Sequence, residues 1–125
     1  MTESKRAYES SRMEERKEAN RRYWKTPKGK VMMTFNNMSR RVRGYVKPHL
    51  YKGLDIMPRE EFYSWSLGNI DFDRLFVAWE ASGHERKLSP SVDRVDNSKG
   101  YTIGNIRWIT HSENSRLGAV SRFSR

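Results

Sequence analysis

Ser89-Pro-Ser-Val-Asp-Arg-Val-Asp-Asn-Ser-Lys-Gly-Tyr-Thr-Ile-Gly-Asn-Ile-Arg-Trp-Ile-Thr-His-Ser-Glu-Asn114 is the stretch that decides the fold. Its opening, Ser91-Val92-Asp93-Arg94-Val95, alternates and is β-branched, as a strand should be. Asp96-Asn97-Ser98-Lys99-Gly100 is turn chemistry. Asn105 to Ile109 reads as a second strand with Ile106 and Trp108 on one face, and Ser112 is a natural N-cap that places Glu113 and Asn114 in a first helical turn. The expectation is a β-hairpin with a long loop, followed by a helix. That order sets Asp93 and Asn114, 21 positions apart, on neighbouring elements where both can face one divalent ion.

Upstream of this stretch the signals are helical. Thr26-Pro27 starts a helix, because proline suits a first turn whose N–H has no partner. Val31, Met32, Phe35, Met38 and Val42 recur at helical spacing, and Gly44 lies where a C-terminal stop belongs. The opposite face carries Lys28, Lys30, Arg40, Arg41 and Arg43. Leu54-Asp55-Ile56 reads as a short strand. A short helix is expected over 58–67, with Pro58 at its start and Glu60 and Glu61 near its positive end. Another is expected over 71–81, with Phe72, Leu75, Phe76 and Trp79 lining one side as core residues and Ser82-Gly83 ending it. Residues 3–23 read as a polar helix without a wide apolar stripe, one that orders on a partner. The fold class is therefore α+β, with N-terminal helices packed around the C-terminal hairpin and helix. The organisation expected is a basic leader over 1–26 and one domain over 27–125. Within that domain, 27–87 is mainly helical support, 88–118 the chemical motif and 119–125 a basic tail.

At 125 residues the chain has length for one modest core. The net charge is +10 and the pI about 10.1, which favours a polyanionic partner because each Lys or Arg near a phosphate releases counterions. The charge is uneven: residues 1–50 hold fourteen basic and five acidic side chains, whereas 51–87 hold five and seven. There is no cysteine, so disulfides and thiolate zinc sites are excluded. No apolar run approaches ~18 residues, and the N-terminus has no secretory h-region. An intracellular protein without a membrane partner is the expectation.

Residues 89–114 resemble the ββα-metal (HNH) endonucleases, especially small phage-type and homing-like members. More loosely, the resemblance extends back through Trp24-Lys25-Thr26-Pro27-Lys28-Gly29-Lys30. It implies that Asp93 and Asn114 are metal ligands and that Asn105 is the central residue fixing the loop. It also implies cleavage of double-stranded DNA with Mg²⁺ or Mn²⁺, with no small-molecule cofactor. Such an ion suits oxygen ligands and leaves positions for water and phosphate. Lys28, Lys30, Arg40, Arg41, Arg43, Lys99, Arg107 and Arg116 are the expected nucleic-acid contacts.

One departure concerns the base. Most members of that family carry His after the metal-binding acid; this chain has Arg94, and a guanidinium, which does not give up its proton in a protein, cannot do that work. Three accounts compete. Arg94 clamps the phosphate while hydroxide attacks; a displaced base serves, His111 first and His84 more distantly; or the module binds DNA with weak or lost catalysis. Plainer readings stand beside these: Asp93-Arg94 as an ion pair, Asp96-Asn97 as a turn, Asn105 as an ordinary strand start. A basic RNA-binding protein is a further alternative, and it requires the aromatics of 62–79 at the surface.

Overall fold

The capping residues set the first two helices. In this computed structural model, which describes the backbone of residues 3–123 and the side chains of 4–118, α1 spans Glu3–Trp24 and α2 spans Pro27–Val42. Thr26 caps α2: its Oγ1 accepts from the Gly29 N–H at 3.1 Å and donates to the Tyr23 carbonyl at 2.6 Å. Gly29 is needed there, since a Cβ would lie 1.9 Å from the Tyr23 oxygen. α1 itself exposes every described side chain, as its sequence lacks an apolar stripe. α2 buries Val31, Phe35 and Met38 on the expected face and stops at Gly44, whose φ of 89° is the left-handed conformation glycine adopts freely.

Beyond the stop, a loop leads through a short helix, α3 (Pro48–Tyr51), which the sequence did not announce. The strand expected over 54–56 reduces to a single parallel bridge, Ile56 to Tyr101, made by Tyr101 N–H to Asp55 O at 2.8 Å and Met57 N–H to Tyr101 O at 2.9 Å. α4 (Arg59–Leu67) and α5 (Ile70–Ala81) follow. Asn69 caps α5, accepting from the N–H groups of Asp71 and Phe72.

The hairpin pairs β1 (Pro90–Arg94) antiparallel with β2 (Ile106–Thr110), setting Val92 opposite Trp108 and Asp93 opposite Arg107. Asn105 closes a 3₁₀ turn just before β2 rather than opening the strand. α6 then runs over His111–Phe123. Its cap is Thr110, whose Oγ1 accepts from the Glu113 N–H at 3.1 Å, so the expected cap at Ser112 and the placement of His111 ahead of the helix both give way. The basic tail expected over 119–125 lies outside the described side chains.

Trp108 joins the layers. Its ring meets Phe72 at 4.7 Å and Phe62 at 5.9 Å between centroids, and its indole N–H donates to Ser66 Oγ at 3.1 Å. Such ring pairs add about 0.5–1.5 kcal/mol each beyond burial. Phe72, Leu75, Phe76 and Trp79 are buried as expected, which removes the surface aromatics the RNA-binding alternative required. The described residues form six α-helices and one two-stranded antiparallel sheet, an α+β arrangement. No described helix is long and apolar enough to cross a membrane.

Candidate functional site

The loop joining the strands is held by Asn105. Its Oδ1 accepts from the Asp96 N–H at 2.8 Å, and its Nδ2 donates to the carbonyls of Asp96 (3.0 Å) and Gly100 (2.9 Å). At a net of about 1 kcal/mol per bond, these side-chain bonds supply roughly 3 kcal/mol to one loop geometry. Asp96 is a turn residue: Ser98 N–H and Oγ both donate to its Oδ1, and these bonds hold its carboxyl below the usual range. Gly100 backs onto Asp55 so closely that a Cβ would sit 1.9 Å from the Asp55 oxygen.

Arg94 is pinned rather than free. Its Nη1 donates to the carbonyls of Asn97 (2.9 Å) and Lys99 (3.0 Å), and its guanidinium lies 4.6 Å from the Tyr51 ring and 5.6 Å from the Tyr101 ring. Arg41 flanks the same tyrosines, 5.6 Å from the Tyr51 ring and 3.4 Å from the Tyr101 hydroxyl. Burial pushes the Tyr101 phenol up from its ordinary pKa, so this ring stays neutral between its cations.

Ser91 and Asp93 share one face of β1 because side chains alternate along a strand. α6 crosses that side, with Asn114 Nδ2 donating to Ser91 Oγ at 2.7 Å and to the Val92 carbonyl at 3.1 Å. Asp93 Oδ2 accepts from Arg107 Nε at 3.0 Å. The ion pair read from the sequence as Asp93-Arg94 is thus made across the hairpin with Arg107 instead, while the Arg94 guanidinium is held by the Asn97 and Lys99 carbonyls. Asp93 and Asn114 line one cleft of about 280 Å³, together with Arg41, Arg94, Arg107 and Tyr51. A wider cleft of about 760 Å³ shares Arg41, Arg94 and Asn114 with it and extends to His111, His49 and Lys47.

Among the described residues, Asp93 Oδ1 and Asn114 Oδ1 make no protein hydrogen bond, and both are oxygen ligands of the kind Mg²⁺ or Mn²⁺ takes. No group of three or more His, Cys, Asp or Glu side chains suited to a metal occurs among the described residues. An ion here would therefore draw its remaining ligands from water and from a bound phosphate. Three arginines face one carboxylate, so the cleft by itself favours an anion.

Of the expected site residues, Asp93, Arg94, Asn114, Arg107 and Arg41 meet in one cleft, with Asn105 behind them. His111 lines the adjoining cleft. Lys28, Arg40, Arg43, Lys99 and Arg116 are exposed and line neither cleft. Lys30 corrects its expected role. It is buried, donating to Ser89 Oγ at 2.6 Å and lying 5.0 Å over the Trp79 ring, and burial lowers its pKa to about 8. It ties α2 to the entry of β1 and has no face toward a nucleic acid. His84 also leaves the set of bases. It stands edge-on to Trp79 at 4.6 Å and borders neither cleft. His49 and Tyr51 were missed, because α3 is too short to leave a periodic trace. The sequence signal that bore on them was the run of basic and aromatic residues after Gly44. No family model, curated protein or solved structure matches the chain.

Proposed function

We propose that the protein is a metal-dependent DNA endonuclease with a one-metal ββα (HNH-type) site, hydrolysing phosphodiester bonds. The observation that carries this reading is that Asp93 and Asn114, from β1 and α6, open into the same arginine-lined cleft. Arg41, Arg94 and Arg107 bind the scissile phosphate and oppose the charge that grows on its oxygens. Asn105 keeps in one shape the loop whose Asn97 and Lys99 carbonyls hold Arg94. Asp93 and Asn114 would hold the divalent ion, which when bound stabilises the leaving oxygen. His111 or His49, both facing the wider cleft, takes the proton from the attacking water; imidazole is suited to that near neutral pH.

Purified protein with supercoiled plasmid and Mg²⁺ or Mn²⁺ is the test. Wild type should give nicked or linear DNA, and Asp93→Ala and Asn114→Ala should each lower the rate by about a hundredfold or more, as loss of a transition-state charge contact does. Loss of the proton acceptor costs about 10²–10⁴-fold, so His111→Ala and His49→Ala assign that role. Cleavage that persists unchanged in both Asp93→Ala and Asn114→Ala removes the site assignment, and a wild type inert with every divalent metal removes the enzyme.

The pinned state of Arg94 favours a second reading, a DNA-binding module with weak or lost catalysis. The residue in the base position is spent on two carbonyls and two rings. Under this reading, Arg94→His converts an inert parent into a cutting enzyme. Under the first reading, the same change lowers the rate.

A further inference from the structure

Residues 43–52 form a loop whose backbone is tied and whose tip is not. Gly53 N–H bonds to the Val42 carbonyl at 2.9 Å and closes its ends, while Tyr45 N–H reaches the Arg40 carbonyl at 3.0 Å and Leu50 N–H the Lys47 carbonyl at 2.9 Å. Lys47 is held at φ 43°, a left-handed conformation that costs a lysine energy and persists only where the surroundings fix it. Tyr51 points inward against Tyr101. Yet Tyr45 is 71%, Leu50 43% and Val46 37% exposed. A loop with a hydrogen-bonded backbone thus presents an aromatic and two aliphatic side chains to solvent. The charge carried by the loop is of one sign: Arg43, Lys47 and Lys52 lie on it, and no acid occurs between them. Lys47, His49 and Leu50 border the wider cleft beside Arg94 and Asn114.

Resting on the nuclease reading above, we infer that this loop is a wedge that enters a groove of duplex DNA next to the cleft and bends it. An apolar tip ringed by cations matches a polyanion with stacked apolar layers inside it. Side chains of this kind inserted between base steps unstack them and kink the duplex, and bent DNA contacts more protein. The cationic rim neutralises flanking phosphates and fixes the depth of entry. Bending by the wedge presses the neighbouring phosphate toward Arg41 and Arg94.

The test uses the full chain in EDTA with an end-labelled duplex of about thirty base pairs, a length over which a sharp kink shortens the end-to-end distance measurably. Fluorescence transfer between the ends reports bending, and anisotropy reports binding. Wild type should bind and raise the transfer. Tyr45→Ala/Val46→Ala should bind about three- to tenfold more weakly and lose most of the rise, as expected when the wedge and not the phosphate contacts is removed. The exposure of both residues predicts an unchanged melting temperature for that variant, which separates the effect from misfolding. Equal bending by variant and wild type, or binding without bending by wild type, overturns the wedge and leaves the nuclease reading intact. No binding of duplex by either protein overturns both. A loop-dependent preference for an RNA hairpin, or for vesicles of anionic phospholipid over duplex DNA, overturns the wedge as well.

Discussion

Lys30 holds an ammonium inside the molecule, with Ser89 Oγ as its hydrogen-bond acceptor and the Trp79 ring beneath it. Because burial lowers its pKa from 10.5 to about 8, the unfolded chain binds more proton than the folded one between those values. Stability contributed by this residue therefore rises as pH increases from about 8 to about 10.5, by a total of about 3 kcal/mol. Lys30→Met keeps the stem and removes the charge. Urea unfolding at pH 7, 9 and 10.5 should show the wild type gaining on the variant as pH rises; parallel curves would mean the ammonium is not desolvated. The sequence put Lys30 on the basic face with Lys28, Arg40, Arg41 and Arg43, but the partner that buries it lies 59 positions away. Asn105 and Asn114 were singled out by the family resemblance. The bonds of Asn105 stay within nine positions, whereas Asn114 reaches back 23 and 22 positions to Ser91 and Val92.

At the scale of elements, α1 is the polar, unpacked helix its sequence announces, whereas α3 had no announcement. α1 is a helix of 22 residues with every described side chain exposed, and ion pairs such as Lys17–Glu14 and Arg21–Glu18 join exposed neighbours on it. Pairs of this sort contribute about 0.3–0.5 kcal/mol each. Removing the chain through Asn20 should leave the melting temperature of the remainder within about 2 °C, since no core area goes with it, while weakening duplex binding. A fall of more than about 6 °C in a thermal melt would mean that α1 is part of the fold. α2 and α5 were readable from apolar spacing, and α4 from Pro58 and the acids of its first turn. α3 and the Ile56–Tyr101 bridge were not, because both depend on contacts from distant segments: Gly53 to Val42 at the ends of one loop, and Asp55 to Tyr101 across two others.

Over the whole molecule, the net charge of +10 is concentrated in residues 1–50, at the rim of the cleft and along α1 and α2. Duplex affinity should therefore fall steeply with salt. A protein making six to ten phosphate contacts loses about 10³–10⁵ in affinity between 50 and 200 mM. Titrations across that range should give a linear log–log plot, and Arg41→Ala should reduce its slope by about one contact; a flat plot would mean that charge does not drive association. The α+β class and the aromatic core were legible because burial follows residue type. The shared clefts were not, since they are bounded by side chains from α2, α3, β1 and α6 that only the closed chain brings together.

Gly100 gives that closure a further meaning. Its missing side chain lets the hairpin loop lie flat on Asp55, and the Arg94–Tyr51–Tyr101 stack is assembled on top of this seam. Any bulkier residue there would hold the seam ajar while sparing every helix. A chain so altered should keep its helical spectrum while losing that stack, and under the nuclease proposal its affinity for phosphate should drop before its helicity does.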